Sequence, residues 1–288
     1  EGALHSEAWA GGWLPMLIRS ELALKLLTHA ESGAIAAAPT TSLPEGIGGV
    51  RNWDYRYAWI RDASLTAQAF IALGHREEAI EFLNWIVRVS EQHFEQKEAP
   101  QIMYGVHGEA DLDELELDHL DGYRGSRPVR IGNGAAKQNQ HEVYGELLVT
   151  GYELLRRGET LNPEILTFLG WIADHVCAVW KEPDHGIWEV RGEPRHYVYS
   201  KLMSWVALDY AVHLAERFGL QGDVGRWRRN RDAIRDDILE KGYDPDLRSF
   251  VMAYGSKELD AANLRMPMFE FLPFEDERVR GTVDATME

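Results

Sequence analysis

The chain has 288 residues, 45% hydrophobic and 27% charged, with a formal net charge of −17 and a single cysteine. That is the composition of a globular protein with enough chain to bury a sizeable core. The negative charge excludes nucleic acid and anionic membrane surfaces as principal partners and suits a neutral ligand.

One cysteine excludes an internal disulfide framework. Cys177 sits in the mostly apolar run 171–180 and reads as a small core residue. No apolar run reaches transmembrane length, and the first residues lack a basic-then-apolar export signal, so the expected location is cytoplasmic. Glu1 is not Met, and residues 279–288 read as the opening of a further helix, so the chain is expected to be a segment of a longer protein. Nothing in it specifies an oligomeric state.

In chain order, the first helix is expected over 14–30, with Pro15 in its first turn. Leu14, Leu17, Ile18, Leu22 and Leu26 form its stripe; Leu24 and Leu27 widen it, which predicts a well-buried helix. Residues 32–49, rich in Ala, Thr, Pro and Gly, read as an ordered loop.

That loop feeds the most unusual stretch of the sequence. After Gly48-Gly49, the aromatics Trp53, Tyr55, Tyr57 and Trp59 alternate with polar or small residues, and the run ends on Arg61-Asp62. Aromatic faces stack on the apolar face of a pyranose, and Arg and Asp can hold its hydroxyls. A half-buried strand with its charges in solvent is the alternative.

Helices at 62–73 and 76–92, separated by Gly74-His75, predict a tight hairpin. Residues 98–133 form a long irregular segment containing Arg124 and Arg130, of the length usually given to functional loops. Helices follow at 138–156 and 163–180, the latter capped by Asn162 before Pro163. A compact loop spans 181–196, and further helices cover 200–218 and 223–241. Some eight helices in hairpins, joined by long loops, predict an all-α fold: an array or a closed α/α toroid.

In the loop Asp184-His185-Gly186-Ile187-Trp188-Glu189-Val190, one carboxylate stands among apolar neighbours. Ile187, Trp188 and Val190 would lower local polarity and favour the protonated form of Glu189, as a general acid requires. A surface glutamate in a turn remains the alternative. Asp62, Asp118, Glu193 and Glu258 are possible partners in a two-carboxylate mechanism, and spacing singles out none. The scattered histidines form no metal motif, and no phosphate-binding glycine loop is present, so no cofactor or metal is expected.

Residues 49–62, 101–105, 122–133, 184–192 and 254–260 together resemble glycoside hydrolase family 15, in particular its bacterial glucoamylase-like and trehalase branch. The resemblance runs through essentially the whole chain in consistent order. It implies a six-hairpin α/α toroid that hydrolyses terminal α-glucosidic bonds with inversion, releasing β-glucose from a small neutral α-glucoside. By this resemblance Glu189 is the general acid, in a Trp188-Glu189 element. Arg61 and Asp62 match the pair that holds the non-reducing glucose, and Tyr55 and Trp59 match aromatics that wall its subsite. Trp188, Arg124 and Arg130 are the further substrate-binding candidates. Fungal glucoamylases carry a second glutamate after the acid; Val190 stands there, so contacts beyond the first sugar are expected to differ.

The family's general base lies in a later loop. Residues 1–288 therefore correspond to the N-terminal two thirds of a catalytic toroid, a segment expected to be inactive by itself. Two rival functions share the architecture: a sugar epimerase or lyase relying on His185 and His196, and a non-catalytic sugar-binding protein.

Overall fold

The computed structural model describes residues 10–96 and 100–288, without the side chains of 92–96. Residues 1–9, searched above for an export signal, and Glu98, at the start of the long loop, lie outside the described residues. Eight α-helices and six two-residue strands are described. They belong to two compact units, Glu1–Lys137 with Glu153–Ile165, and Gln138–Tyr152 with Leu166–Glu288. Among the described residues no helix is long and apolar enough to cross a membrane.

The first unit contains α1 (Leu14–Leu27), α2 (Ile60–Leu73) and α3 (Arg76–Gln96). Helix α2 stops where expected. Gly74 takes a φ of 95°, and the N–H of His75 returns to the carbonyl of Phe70, because only glycine enters this left-handed conformation without strain. Ala63, Ala67 and Phe70 on α2, and Ala79, Leu83 and Ile86 on α3, are buried at helical spacing.

Helix α1 corrects an expectation. It contains no buried residue, and Leu26 is 79% exposed. Its apolar residues surround the axis instead of forming one face. It rests on the α2–α3 junction through polar contacts, Glu21 to His75 and Lys25 to Glu78 at 2.6 Å.

Two short ladders complete this unit. Strand β1 (Ala58–Trp59) pairs antiparallel with β2 (Met103–Tyr104), Trp59 opposite Met103, and β3 (Leu115–Glu116) pairs with β4 (Arg130–Ile131). Trp59, Ile102, Met103, Leu112 and Ala135 form a local core under the first ladder.

The second unit is built on parts of α4 (Glu142–Arg156) and α5 (Pro163–Val179), with α6 (Val198–Phe218), α7 (Val224–Lys241) and α8 (Glu277–Met287). Asn162 caps α5 by accepting the N–H of Ile165 at 2.8 Å, and Asp223 caps α7 by accepting that of Arg226 at 2.9 Å. Leu147 and Leu148, Leu169 and Ile172, Leu202 and Val206, and Ile234 and Ile238 fill its interior from four successive helices. A side chain at Gly145 would place its Cβ 2.6 Å from the Met203 carbonyl, so glycine there permits α4 and α6 to touch backbone to backbone. Strands β5 (Tyr243–Asp244) and β6 (Ser249–Phe250) form a hairpin, and α8 joins it through the Thr282 hydroxyl, which accepts the Phe250 N–H at 3.0 Å.

Candidate active site

In the first unit, the aromatic stretch divides its charges between two tasks. Asp54 is fully buried and takes both nitrogens of the Arg56 fork, Nε at 2.8 Å and a terminal nitrogen at 2.7 Å. Burial works against its ionisation, but the hydrogen bonds and charge of Arg56 outweigh that and hold the carboxyl below its ordinary range. Asp54 and Arg56 are therefore framework. Arg61 and Asp62 open helix α2, where β1 delivers the chain and the Ile60 N–H bonds the Ile102 carbonyl at 2.9 Å. Their side chains stand 3.3 Å apart, and the Asp62 carboxylate is the more exposed of the two. An anion in a first helical turn is favoured by the aligned peptide dipoles.

Tyr55 and Trp59 differ in what they offer. Trp59 is 2% exposed and Tyr55 is 37% exposed, with ring centroids 5.8 Å apart. Tyr55 thus presents the aromatic face, and Trp59 supports it from the core.

Arg130 is buried, and its guanidinium is occupied within the fold. It donates to the carbonyl of Val50 at 2.9 Å and to Glu116 at 3.0 Å, and lies 4.7 Å over the Trp53 ring. It clasps the aromatic stretch to the 115–131 ladder. Arg124 is exposed, with a left-handed φ of 50°, and its guanidinium is 5.4 Å over the Tyr123 ring.

In the second unit, residues 184–195 form a closed loop. Asp184 and Arg195 exchange backbone hydrogen bonds of 2.9 and 2.8 Å, and the His185 N–H bonds the Asn139 carbonyl at 2.9 Å. Asp184 is the anchor. Its buried carboxyl accepts the His141 N–H at 3.0 Å and the Ser200 hydroxyl at 2.7 Å, linking the loop to the starts of α4 and α6. Burial raises its pKa despite these bonds. Lys201, also buried, donates to the Glu182 carbonyl at 2.9 Å and to the Trp180 carbonyl.

At the tip, Glu189 adopts a φ of 54°, a left-handed conformation that costs a non-glycine residue about 1–3 kcal/mol. Its N–H closes a turn on the Gly186 carbonyl at 3.3 Å, and the Gln138 amide donates to the carbonyls of Glu189 and Val190, each at 3.4 Å. The apolar enclosure expected around Glu189 is not found within this unit. Trp188 is 58% exposed and Val190 is also exposed, because the tight turn splays successive side chains outward. The Trp188 indole is nevertheless fixed: its Nε1–H donates to Asp260 Oδ2 at 3.0 Å.

Of the other carboxylates considered, Glu258 pairs with Arg195 at 3.1 Å, and this bond lowers its pKa. Asp118 lies in the first unit, where its carbonyl accepts from Arg127 at 3.4 Å, and Glu193 is exposed. His196 stacks on Tyr254 with centroids 5.8 Å apart. Among the described residues no three His, Cys, Asp or Glu side chains gather in a metal-holding group. The anchoring roles of Asp184, Ser200 and Gln138 were missed in the sequence. Asp260, which precedes a short helical run, did carry a local cap signal.

The buried His141 gives this site a pH signature. Burial, followed by the charge of Lys201, lowers its pKa from 6.5 to about 3. A histidine with a depressed folded pKa contributes stability above its unfolded pKa and loses it as pH falls towards the folded value. From pH 7 to pH 5 the complete protein is expected to lose about 2 kcal/mol through this group. His141→Gln should flatten that part of the profile, as read from Tm at the two pH values. An equal loss in both proteins would remove His141 from the account.

The profile described as glycosyl hydrolases family 15 matches residues 14–288. A trehalase of Thermoplasma volcanium is 42% identical over 278 residues, covering 96% of this chain and 44% of the relative. A trehalase of Mycobacterium tuberculosis is 46% identical over 271 residues, covering 94% and 40%. The chain therefore spans less than half the length of these curated relatives. Among solved structures, a glycosidase in complex with glucose superposes with a TM-score of 0.71 at 20% identity, covering 94% of this chain and 68% of that one. Glucoamylase from Saccharomycopsis fibuligera gives 0.62 at 15% identity, covering 89% and 56%. The fold class is accordingly the α/α toroid of the glucoamylase-type glycosidases, as the hairpin pattern and motifs implied. With the profile matched along nearly its whole length and relatives this similar, the chain belongs to glycosyl hydrolases family 15.

Proposed function

We propose that the complete protein hydrolyses trehalose with inversion, using Glu189 as general acid. The observation that carries this reading is the Trp188-Glu189 turn. The loop that carries it is anchored by the buried Asp184, and the Gln138 amide holds the carbonyls of Glu189 and Val190, so the carboxyl stands at the tip of a braced turn. The choice of trehalose among α-glucosides rests on the relatives named trehalase at 42% and 46% identity.

In this mechanism Glu189 protonates the glycosidic oxygen as the bond to the anomeric carbon breaks. A second carboxylate activates a water that attacks from the opposite face, through an oxocarbenium-like transition state. Arg61 and Asp62 hold the hydroxyls of the non-reducing glucose, Tyr55 stacks on its face with Trp59 behind it, and Trp188 contacts the sugar beside the acid. Arg124 is a further contact at the rim, and Arg130 acts by keeping the aromatic stretch in place. The general base comes from sequence outside these 288 residues, consistent with the greater length of the relatives. The protein works in the cytoplasm on a small neutral sugar, with neither nucleic acid nor membrane as partner. The segment alone, lacking the base, is inactive.

Initial rates on trehalose and maltotetraose, measured with the complete protein, test the substrate. Glucose from trehalose at a kcat/KM at least tenfold above that for maltotetraose is expected. The reverse order would make the protein a glucoamylase, and no glucose from either would return the case to a sugar-binding protein.

A further inference from the structure

We infer that Asp260 is a positioning residue for the acid turn, acting through the indole of Trp188. This rests on the assignment of Glu189 as general acid.

Three observations support it. Trp188 is 58% exposed, so packing alone does not set its orientation, yet its Nε1–H is bound to Asp260 Oδ2 at 3.0 Å. Asp260 is itself buried. Its other oxygen, Oδ1, accepts the Ala262 N–H at 2.9 Å, and its carbonyl accepts the Asn263 N–H at 3.1 Å, so it is seated at the head of the 3₁₀ segment Ala261–Phe269. That segment is held in turn: the Asn263 amide donates to the Val251 carbonyl at 3.0 Å, and Arg265 pairs with the buried Glu146 at 2.7 Å. A rigid element 72 residues away in sequence thus fixes the side chain next to the acid. Because Glu189 follows Trp188 directly, the bond that ties the indole to Asp260 also restrains the backbone from which the carboxyl projects. Misplacement of a reacting group by about 1 Å can cost on the order of a hundredfold in rate.

The two carboxylate oxygens have separate tasks, and this gives the test. Asparagine is as good a helix cap as aspartate, but it has only one acceptor oxygen. In Asp260→Asn, an amide oxygen that keeps the Ala262 cap turns its NH2 group towards the indole N–H, donor against donor. Trp188→Phe keeps an aromatic ring and removes that N–H. In the complete protein, each single substitution is expected to lower kcat on trehalose about tenfold, with KM changed less than threefold in Asp260→Asn. The double variant should lose about tenfold as well, because the bond broken by one substitution is already absent in the other. Tm of Asp260→Asn should stay within a few degrees of the parent.

A hundredfold loss in the double variant, or an unchanged kcat in Asp260→Asn, would overturn the inference and leave Asp260 as a cap only. The indole N–H resonance of Trp188, in a 15N-tryptophan sample, supplies an independent reading. It should be shifted downfield in the parent and return to the solvent-exposed position in Asp260→Asn; an unchanged shift also overturns the inference. Glu189→Gln, run alongside, separates the two ideas. If it remains active, the acid assignment has failed. If it is inactive and the cycle is additive, the positioning role has failed.

Discussion

Glu189→Gln is expected to lower kcat on trehalose about a thousandfold, the middle of the range for loss of a positioned general acid. The amide matches the carboxylic acid in size and tolerates the same backbone, so the turn at φ 54° and its Gln138 bonds should persist. What is lost is a transferable proton. An alkoxide leaving group needs that proton and a fluoride does not. With α-glucosyl fluoride the variant should therefore stay within about tenfold of the parent, whereas the trehalose rate collapses. Equal losses on both substrates would mean that the side chain holds the sugar or the loop instead of donating a proton. Full activity on trehalose would end the assignment.

Asp62→Ala is expected to lower kcat/KM about a hundredfold to ten-thousandfold. A carboxylate accepting two sugar hydroxyls makes charge-assisted bonds worth about 1.5–3 kcal/mol each. The competing explanation is structural, since Asp62 also favours the start of helix α2. That contribution is at most about 2 kcal/mol at a partly buried helix end, which moves Tm by a few degrees. Kinetics and melting on the same preparation therefore separate the two. A large fall in Tm with normal kcat/KM for the folded fraction would make Asp62 a helix residue and nothing more. Arg61→Lys, which keeps the charge and loses the planar fork, should weaken trehalose in the same direction.

The fold was largely legible where its signals are local. Gly74 ends α2 through its own φ, Asn162 and Asp223 cap the helices that follow them, and the buried positions of α2 and α3 recur at helical spacing. Helix α1 shows the limit of that logic. Its apolar content predicted burial, but burial depends on what packs around a helix, and within its unit α1 is exposed along much of its length. The pairings of β1 with β2 and of β3 with β4 were not legible, because each joins segments far apart in the chain, as Trp59 meets Met103.

The candidate site divides in the same way. Residue types and motif order drew attention to Arg61, Asp62, Trp188 and Glu189. The division of labour among them depends on distant partners. No spacing rule separates Asp54, spent on Arg56, from Asp62 beside Arg61 in the first turn of α2, or Arg130, spent on Val50 and Glu116, from the exposed Arg124. Asp184 and Asp260 stand at the ends of motif stretches, but their roles come from Ser200 and Trp188, brought to them by folding.

The most direct test of the central claim is the anomeric form of the glucose released from trehalose by the complete protein, followed by proton NMR before mutarotation. Inversion at one anomeric carbon, with the other glucose leaving in its original configuration, predicts β- and α-glucose in equal amounts from the first spectra, both absent with Glu189→Gln. Release of α-glucose alone would mean retention at the cleaved centre, and would contradict the mechanism proposed for Glu189 and its distant base.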